Sequence, residues 1–323
     1  MKNVDIGNIC TASGTRNLFG EGWPYHFLYR ILLWFFGISF DFKGSTFISK
    51  TGTIPPCPGN MLLRKNSYMP KWPILDCIKF NFWLGVMLNA IGLTNPSIKQ
   101  MLSEGKWQKR TKPFGISFTC MGNTFEEKLD EVREFARLLR KELPFFLTQI
   151  FIQFNVSCPN TEHVTKDMLC DVIELGQELK QLLNLPLDLK VNLIDADLKF
   201  VRKIEESGVY DCITCTNTLP WGSLPQVINW VKIFGTEESP LKKYGGGGLS
   251  GWLVFPLVLE WLKVMRVNDV KIPLKIGGGI MNARCVVKLK KFGADAVEIG
   301  TVSALRPFRV ERIIECANEI FGR

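Results

Sequence analysis

The sequence of 323 residues is poor in histidine, with only His26 and His163, and a three-histidine zinc centre is therefore excluded. It opens without a charged-then-apolar leader or a small-residue cleavage site, and its ten cysteines fall at irregular spacings. A reducing, cytoplasmic setting is expected from this. No linker, repeat or low-complexity tract interrupts it, so residues 1–323 are expected to form one domain. The net charge of +9 is scattered through helical stretches rather than massed in one run. A nucleic-acid surface is therefore not expected, and anionic ligands are a better use for the charge. No uninterrupted apolar run reaches the roughly 20 residues of a spanning helix. The closest approach, WPYHFLYRILLWFFGISF at 23–40, is broken by His26 and Arg30 and ended by Gly37.

What is abundant is apolar surface: 46% of residues are hydrophobic and 22% charged, ample for a large core. Short apolar strand signals fall at 8–12, 46–49, 114–119, 151–157, 187–193, 210–216, 274–278 and 296–300. Helical spacing fills much of the remainder, at 126–143, 165–183, 197–207, 253–267, 283–292 and 308–321. Strands apolar on both faces that alternate with helices predict parallel pairing, hence an α/β fold of the (β/α)8 TIM-barrel type. The 23–40 segment is read as the first barrel helix. Its excess of apolar groups predicts that a homo-oligomer subunit, a partner or a membrane surface covers its outer face. Cys212 and Cys215 have C-x-x-C spacing inside a strand, where side chains three apart point to opposite faces, so they make a poor redox or metal pair.

Several groups along this pattern carry chemistry. The stretches K-I-G-G-G-I (275–280) and G-A-D-A-V-E-I-G-T (293–301) place glycines after the last two strands. One such cluster marks only a tight turn. Two at this position supply unobstructed backbone N–H groups and point to a phosphate-bearing ligand. Lys50 and Lys190 sit at or in apolar strands, where a lysine either snorkels to solvent or meets an anion. Asn89, Asn155, Asn160 and Asn217 could each be turn residues, but as a set they offer the paired donors and acceptors that suit a pyrimidine edge. Asn155 and Asn160 flank Cys158 in N-V-S-C-P-N-T (155–161), directly after a strand, where a reactive thiol between polar clamps is well placed. His163 either lowers that thiol's pKa or is a solvated loop residue.

These motifs resemble, in order, those of the dihydroorotate dehydrogenase family: T-A-S-G-T (11–15), L-N-A-I-G-L (88–93), N-V-S-C-P-N-T, C-T-N-T (215–218), G-G-L-S-G (247–251) and the two glycine clusters. The resemblance runs from Thr11 to Thr301. It implies oxidation of dihydroorotate to orotate in pyrimidine synthesis, with FMN bound at the C-terminal face of the strands and no metal. Cys158 is then the base. Lys50, Asn89, Asn155, Asn160, Asn217 and Thr218 hold the substrate. Ala12, Ser13, Gly14, Lys50, Lys190, Gly248, Ser250, Gly251, Gly278, Gly279, Gly300 and Thr301 hold FMN. A cysteine base, with a barrel that begins at once, resembles the soluble class 1 enzymes, which is the reading taken, although the wording N-V-S-x-P-N-T is closer to the quinone-linked class. The electron acceptor is thus left among fumarate, NAD through an iron–sulfur/FAD subunit, and quinone. Two rivals are a dihydropyrimidine dehydrogenase-like barrel acting on dihydrouracil and a silent flavin- or partner-binding barrel. Asn160 counts against the first, and the intact lysine, cysteine and asparagine set against the second.

Overall fold

A computed structural model describes residues 6–64, 66–71, 74–156 and 166–322. Its strands, in chain order, are β1 Ile9–Thr11, β2 Thr46–Ile48, β3 Ile78–Asn81, β4 Val86–Asn89, β5 Phe114–Phe118 and β6 Ile150–Asn155. There follow β7 Leu187–Val191, β8 Cys212–Cys215, β9 Leu219–Pro220, β10 Gly248–Gly251, β11 Leu274–Ile276 and β12 Ala296–Ile299. The helices are α1 Pro24–Trp34, α2 Ile98–Ser103, α3 Phe125–Glu142, α4 Lys166–Leu183 and α5 Leu198–Ser207. They continue with α6 Trp230–Phe234, α7 Phe255–Val267, α8 Ala283–Lys291, α9 Val302–Leu305 and α10 Val310–Phe321.

Strands β1, β2, β5, β6, β7, β8, β11 and β12 close into a parallel barrel, the (β/α)8 architecture predicted. Their composition follows from cover on both sides: FGISF of β5, LDLKV of β7 and CITC of β8 are buried throughout. Gly115 in β5 makes room inside the barrel, because a Cβ there would lie 2.6 Å from the Phe151 ring. Outside, α3 starts on a capping box in which Thr124 accepts from the Glu127 N–H at 3.2 Å and the Glu127 carboxylate accepts from Thr124 N–H. The helix buries Val132, Phe135, Ala136 and Leu139, and Phe135 stacks on Phe118 with centroids 4.2 Å apart. Asp197 caps α5, which ends at Gly208 in the left-handed region (φ 62°).

Two features differ from expectation. A separate antiparallel sheet, ordered β3-β4-β10-β9, lies outside the barrel. Its strands are short, and β10 is the glycine run G-L-S-G, which the strand signals did not include. The 23–40 segment forms a shorter helix, α1, than its apolar run suggests. Trp23, His26 and Phe40 turn inward, while Phe27, Leu28, Ile31, Leu32 and Phe35 are exposed. Among the described residues no helix is long and apolar enough to cross a membrane. Cys212 and Cys215 are both buried and free, and Cys215 packs in the main core outside the barrel. The described residues hold no metal-binding cluster.

Candidate active site

At the C-terminal ends of the barrel strands lies a cavity of about 340 Å³. Its walls come from the segments after β1 (Ala12, Ser13, Gly14), β2 (Lys50, Thr51), β8 (Thr216, Asn217, Thr218), β11 (Gly277, Gly278, Gly279) and β12 (Gly300, Thr301), together with Asn155 and Lys190. The small sheet and α1 roof it through Asn89, Phe80, Met87, Ser250, Trp23 and Tyr25. This is the end of a barrel where side chains from several strands converge.

Part of the cavity wall is a cradle of backbone. Gly278, Gly279, Gly300 and Thr301 line it, and their N–H groups donate to no backbone acceptor among the described residues. A side chain would crowd this part: a Cβ on Gly279 would sit 2.5 Å from the Phe255 amide nitrogen, and one on Gly300 3.3 Å from Thr15 Oγ1. Unpaired N–H groups are costly to bury unless an anion accepts from them. The cradle thus fits an anionic group such as a phosphate.

The remaining polar wall is linked. Asn217 Nδ2 donates to Asn155 Oδ1 at 2.8 Å, and Asn155 Nδ2 donates to Thr51 Oγ1 at 3.2 Å. Thr51 in turn meets Ser13 at 2.8 Å and Ser117 at 2.9 Å. Each amide is held in one orientation by its neighbour. Asn89 donates to the Gly248 carbonyl at 3.4 Å, and the Thr218 carbonyl accepts from Asn192 at 2.8 Å. Lys50 donates to the Gly92 carbonyl at 3.2 Å and makes no salt bridge among the described residues. Burial pushes its ammonium down to about 8, with Cys57 and Cys77 opposing. An anionic ligand group beside it would offset that desolvation.

Lys190 forms an ion pair with Glu298, both buried and both on the cavity wall. Gln153 Nε2 bridges Glu298 (3.2 Å) and Asp188 (2.9 Å), and Asp188 pairs with Lys275 at 2.7 Å with neither side chain exposed. Burial pulls the Lys275 ammonium down, but Asp188 outweighs it and holds the amine above its ordinary range. The sequence reading singled out Lys190 alone. Glu298, Asp188, Lys275 and Thr51 were missed, although three of them carry the same signal, a charge inside an apolar strand.

Not every expected residue lines the cavity. Gly248 and Gly251 lie in β10 beside it but off its wall, and their lack of a side chain answers to packing. A Cβ would lie 2.1 Å from Thr218 Oγ1 at Gly248 and 2.3 Å from the Gly85 carbonyl at Gly251. Cys158, Asn160 and His163 lie outside the described residues. His26 is buried beside Phe40 and Phe42, where burial, then Arg16 and Arg30, hold its imidazole down to about 3. It accepts from the Trp23 N–H at 3.4 Å and serves the start of α1.

A parallel barrel with glycine-rich backbone after its last two strands and a lysine- and asparagine-lined cavity belongs to the class of α/β barrels suited to anionic, phosphate-bearing ligands. The family described as dihydroorotate dehydrogenase matches residues 79–321. The chain belongs to that family. It is 27% identical over 299 residues, 89% of this chain and 87% of the relative, to the "Dihydroorotate dehydrogenase B (NAD(+)), catalytic subunit" of Maridesulfovibrio salexigens. It is 29% identical over 252 residues, 73% of this chain and 77% of the relative, to the "Dihydroorotate dehydrogenase A (fumarate)" of Lactobacillus delbrueckii subsp. bulgaricus. Among solved structures, a dihydroorotate dehydrogenase from Eimeria tenella in complex with ferulenol superposes with a TM-score of 0.67 at 17% identity, covering 99% of this chain and 84% of that one. That last likeness concerns the fold.

Proposed function

We propose that the cavity holds FMN and dihydroorotate together, and that the chain oxidises dihydroorotate to orotate in pyrimidine synthesis as a single-domain, cytoplasmic flavoenzyme. The observation that carries this is the cavity's mixed wall: backbone amides without backbone acceptors at Gly278, Gly279, Gly300 and Thr301, together with Lys50 and linked asparagines. Bound flavin supplies the hydride acceptor that no amino-acid side chain can replace. Lys50 attracts the substrate carboxylate. Asn89, Asn155 and Asn217, with Thr218, hold the pyrimidine edge, and Asn160 completes that set. Ala12, Ser13, Gly14, Ser250 and Lys190 would hold the flavin, and the Lys190 ammonium would stabilise negative charge on its reduced form. Cys158, three residues beyond the end of β6, takes the proton from C5 as hydride leaves C6. An ordinary thiol ionises near pH ~8.5, so proton removal quickens as pH rises toward that value.

Anaerobic titration of the purified protein with dihydroorotate tests this, with bleaching of the flavin bands as the expected outcome. Cys158→Ser should keep bound flavin while losing on the order of 10²-fold or more in the reduction rate near neutral pH. Unchanged kinetics would remove Cys158 from the role of base. Curated relatives are named for NAD+ and for fumarate. Reoxidation of the reduced protein by fumarate, by a quinone, or by NAD+ with an iron–sulfur/FAD partner identifies the acceptor.

A further inference from the structure

The formal charge of this chain is unevenly placed. Residues 1–125 hold 14 of the 40 lysines and arginines but only 5 of the 31 aspartates and glutamates, so the whole excess of +9 falls there. The same stretch carries two strongly exposed apolar features. On α1 and its end, Phe27, Leu28, Ile31, Leu32 and Phe35 form one outward stripe, and Trp34 and Phe36 add to it at 72% and 78% exposure. At the β3–β4 turn, Phe82, Trp83 and Leu84 project, with Trp83 98% exposed. The two features are joined through α9: Tyr29 of α1 donates to the Ala304 carbonyl at 2.8 Å, and Arg306 donates to the Phe82 carbonyl at 2.6 Å. Neither 22–40 nor 77–103 contains an acidic residue, while Arg30, Lys79 and Lys99 lie within them.

A water-facing helix stripe with no polar residue is unfavourable unless something covers it. Aromatic and aliphatic side chains on a short helix and a turn, in segments that carry Arg30, Lys79 and Lys99 and no carboxylate, match the chemistry of an anionic bilayer surface: rings enter the headgroup boundary and lysine and arginine meet lipid phosphate. A second copy of this chain would bring the same positive stretch against itself, which the charge disfavours. We infer that α1 and the β3–β4 turn seat this protein peripherally on an anionic lipid surface. Tyr25 of α1 and Phe80 of β3 also line the cavity, so seating brings the cavity's roof against the lipid. This inference does not depend on the substrate or cofactor assigned above.

The test is co-sedimentation of the full-length purified protein with phosphatidylcholine vesicles and with vesicles containing phosphatidylglycerol. Binding to the anionic vesicles, weakened by added salt, is expected. The variants Phe35→Ser and Trp83→Ser should each lower vesicle partitioning on the order of tenfold, with circular dichroism unchanged. Light scattering runs in parallel. Absence of binding to anionic vesicles overturns the inference. So does equal binding by the variants, or a wild-type dimer that Phe35→Ser dissociates while vesicles bind neither form.

Discussion

Inside the barrel, Lys190, Glu298, Asp188 and Lys275 are buried charges; on the outer side of α1, Phe27, Leu28, Ile31, Leu32 and Phe35 are exposed apolar groups. The usual distribution of polarity is inverted in both places, and the two inversions have different physical standing. Within the barrel every charge has a partner: Lys275 on Asp188 at 2.7 Å, Thr214 donating to Asp188 at 2.6 Å, Gln153 between the two carboxylates, Glu298 on Lys190. Two positive and two negative groups cancel, so burial is tolerated because the set is complete. On α1 nothing among the described residues completes the apolar stripe. A satisfied inversion belongs to the fold, and an unsatisfied one is available for an external contact.

The largest effect should come from breaking the interior set. Lys275→Met leaves Asp188 charged, dry and short of its main partner, and urea unfolding should show a loss of about 3–5 kcal/mol. The double variant Lys275→Met with Asp188→Leu should recover much of it. A single variant with the wild-type midpoint would show that the interior does not depend on the pair.

Lys50 sharpens the contrast from the cavity side. Its amine falls from 10.5 to about 8 on folding, chiefly through burial. Between those values the unfolded chain binds more protons than the folded one, so stability rises with pH across that window. Below pH 8 the buried ammonium costs on the order of 3 kcal/mol. Lys50→Met should therefore stabilise the flavin-free protein by about that amount at neutral pH, with the gain gone above pH ~10.5, while flavin reduction by dihydroorotate is impaired. A pH-independent gain in thermal or urea unfolding would refute the electrostatic account.

The smallest effect is expected on the outer stripe. Phe35→Ser should change unfolding free energy by no more than about 0.5 kcal/mol, as for other exposed positions. A loss comparable to that of a core phenylalanine would mean that this face is packed in the free protein.

The barrel strands could be read from the sequence because parallel strands under helices must be apolar on both faces, a local pattern that ILDCIKF and GLSG, in the small sheet, do not share. β10 pairs with β4 across residues 89 and 248, and no local pattern reports such a pairing. The paired glycine clusters were legible as open backbone on the cavity wall because that depends only on bare residues and on their place after the last two strands. Thr51, which orients Asn155, was not, since its role depends on a hydrogen bond between β2 and β6 ends.

By itself, then, the sequence determined the alternation of strand and helix, the positions of the bare glycines, and the lysines and asparagines available to the strand ends. Local propensity and composition suffice for those. Only the tertiary structure decided that Lys190 faces Glu298, that Gly248 and Gly251 answer to Thr218 and Gly85 rather than to the cavity wall, and that the apolar stripe of α1 points outward. Those outcomes depend on barrel closure and strand register, which bring together side chains more than a hundred residues apart in the case of Lys190 and Glu298.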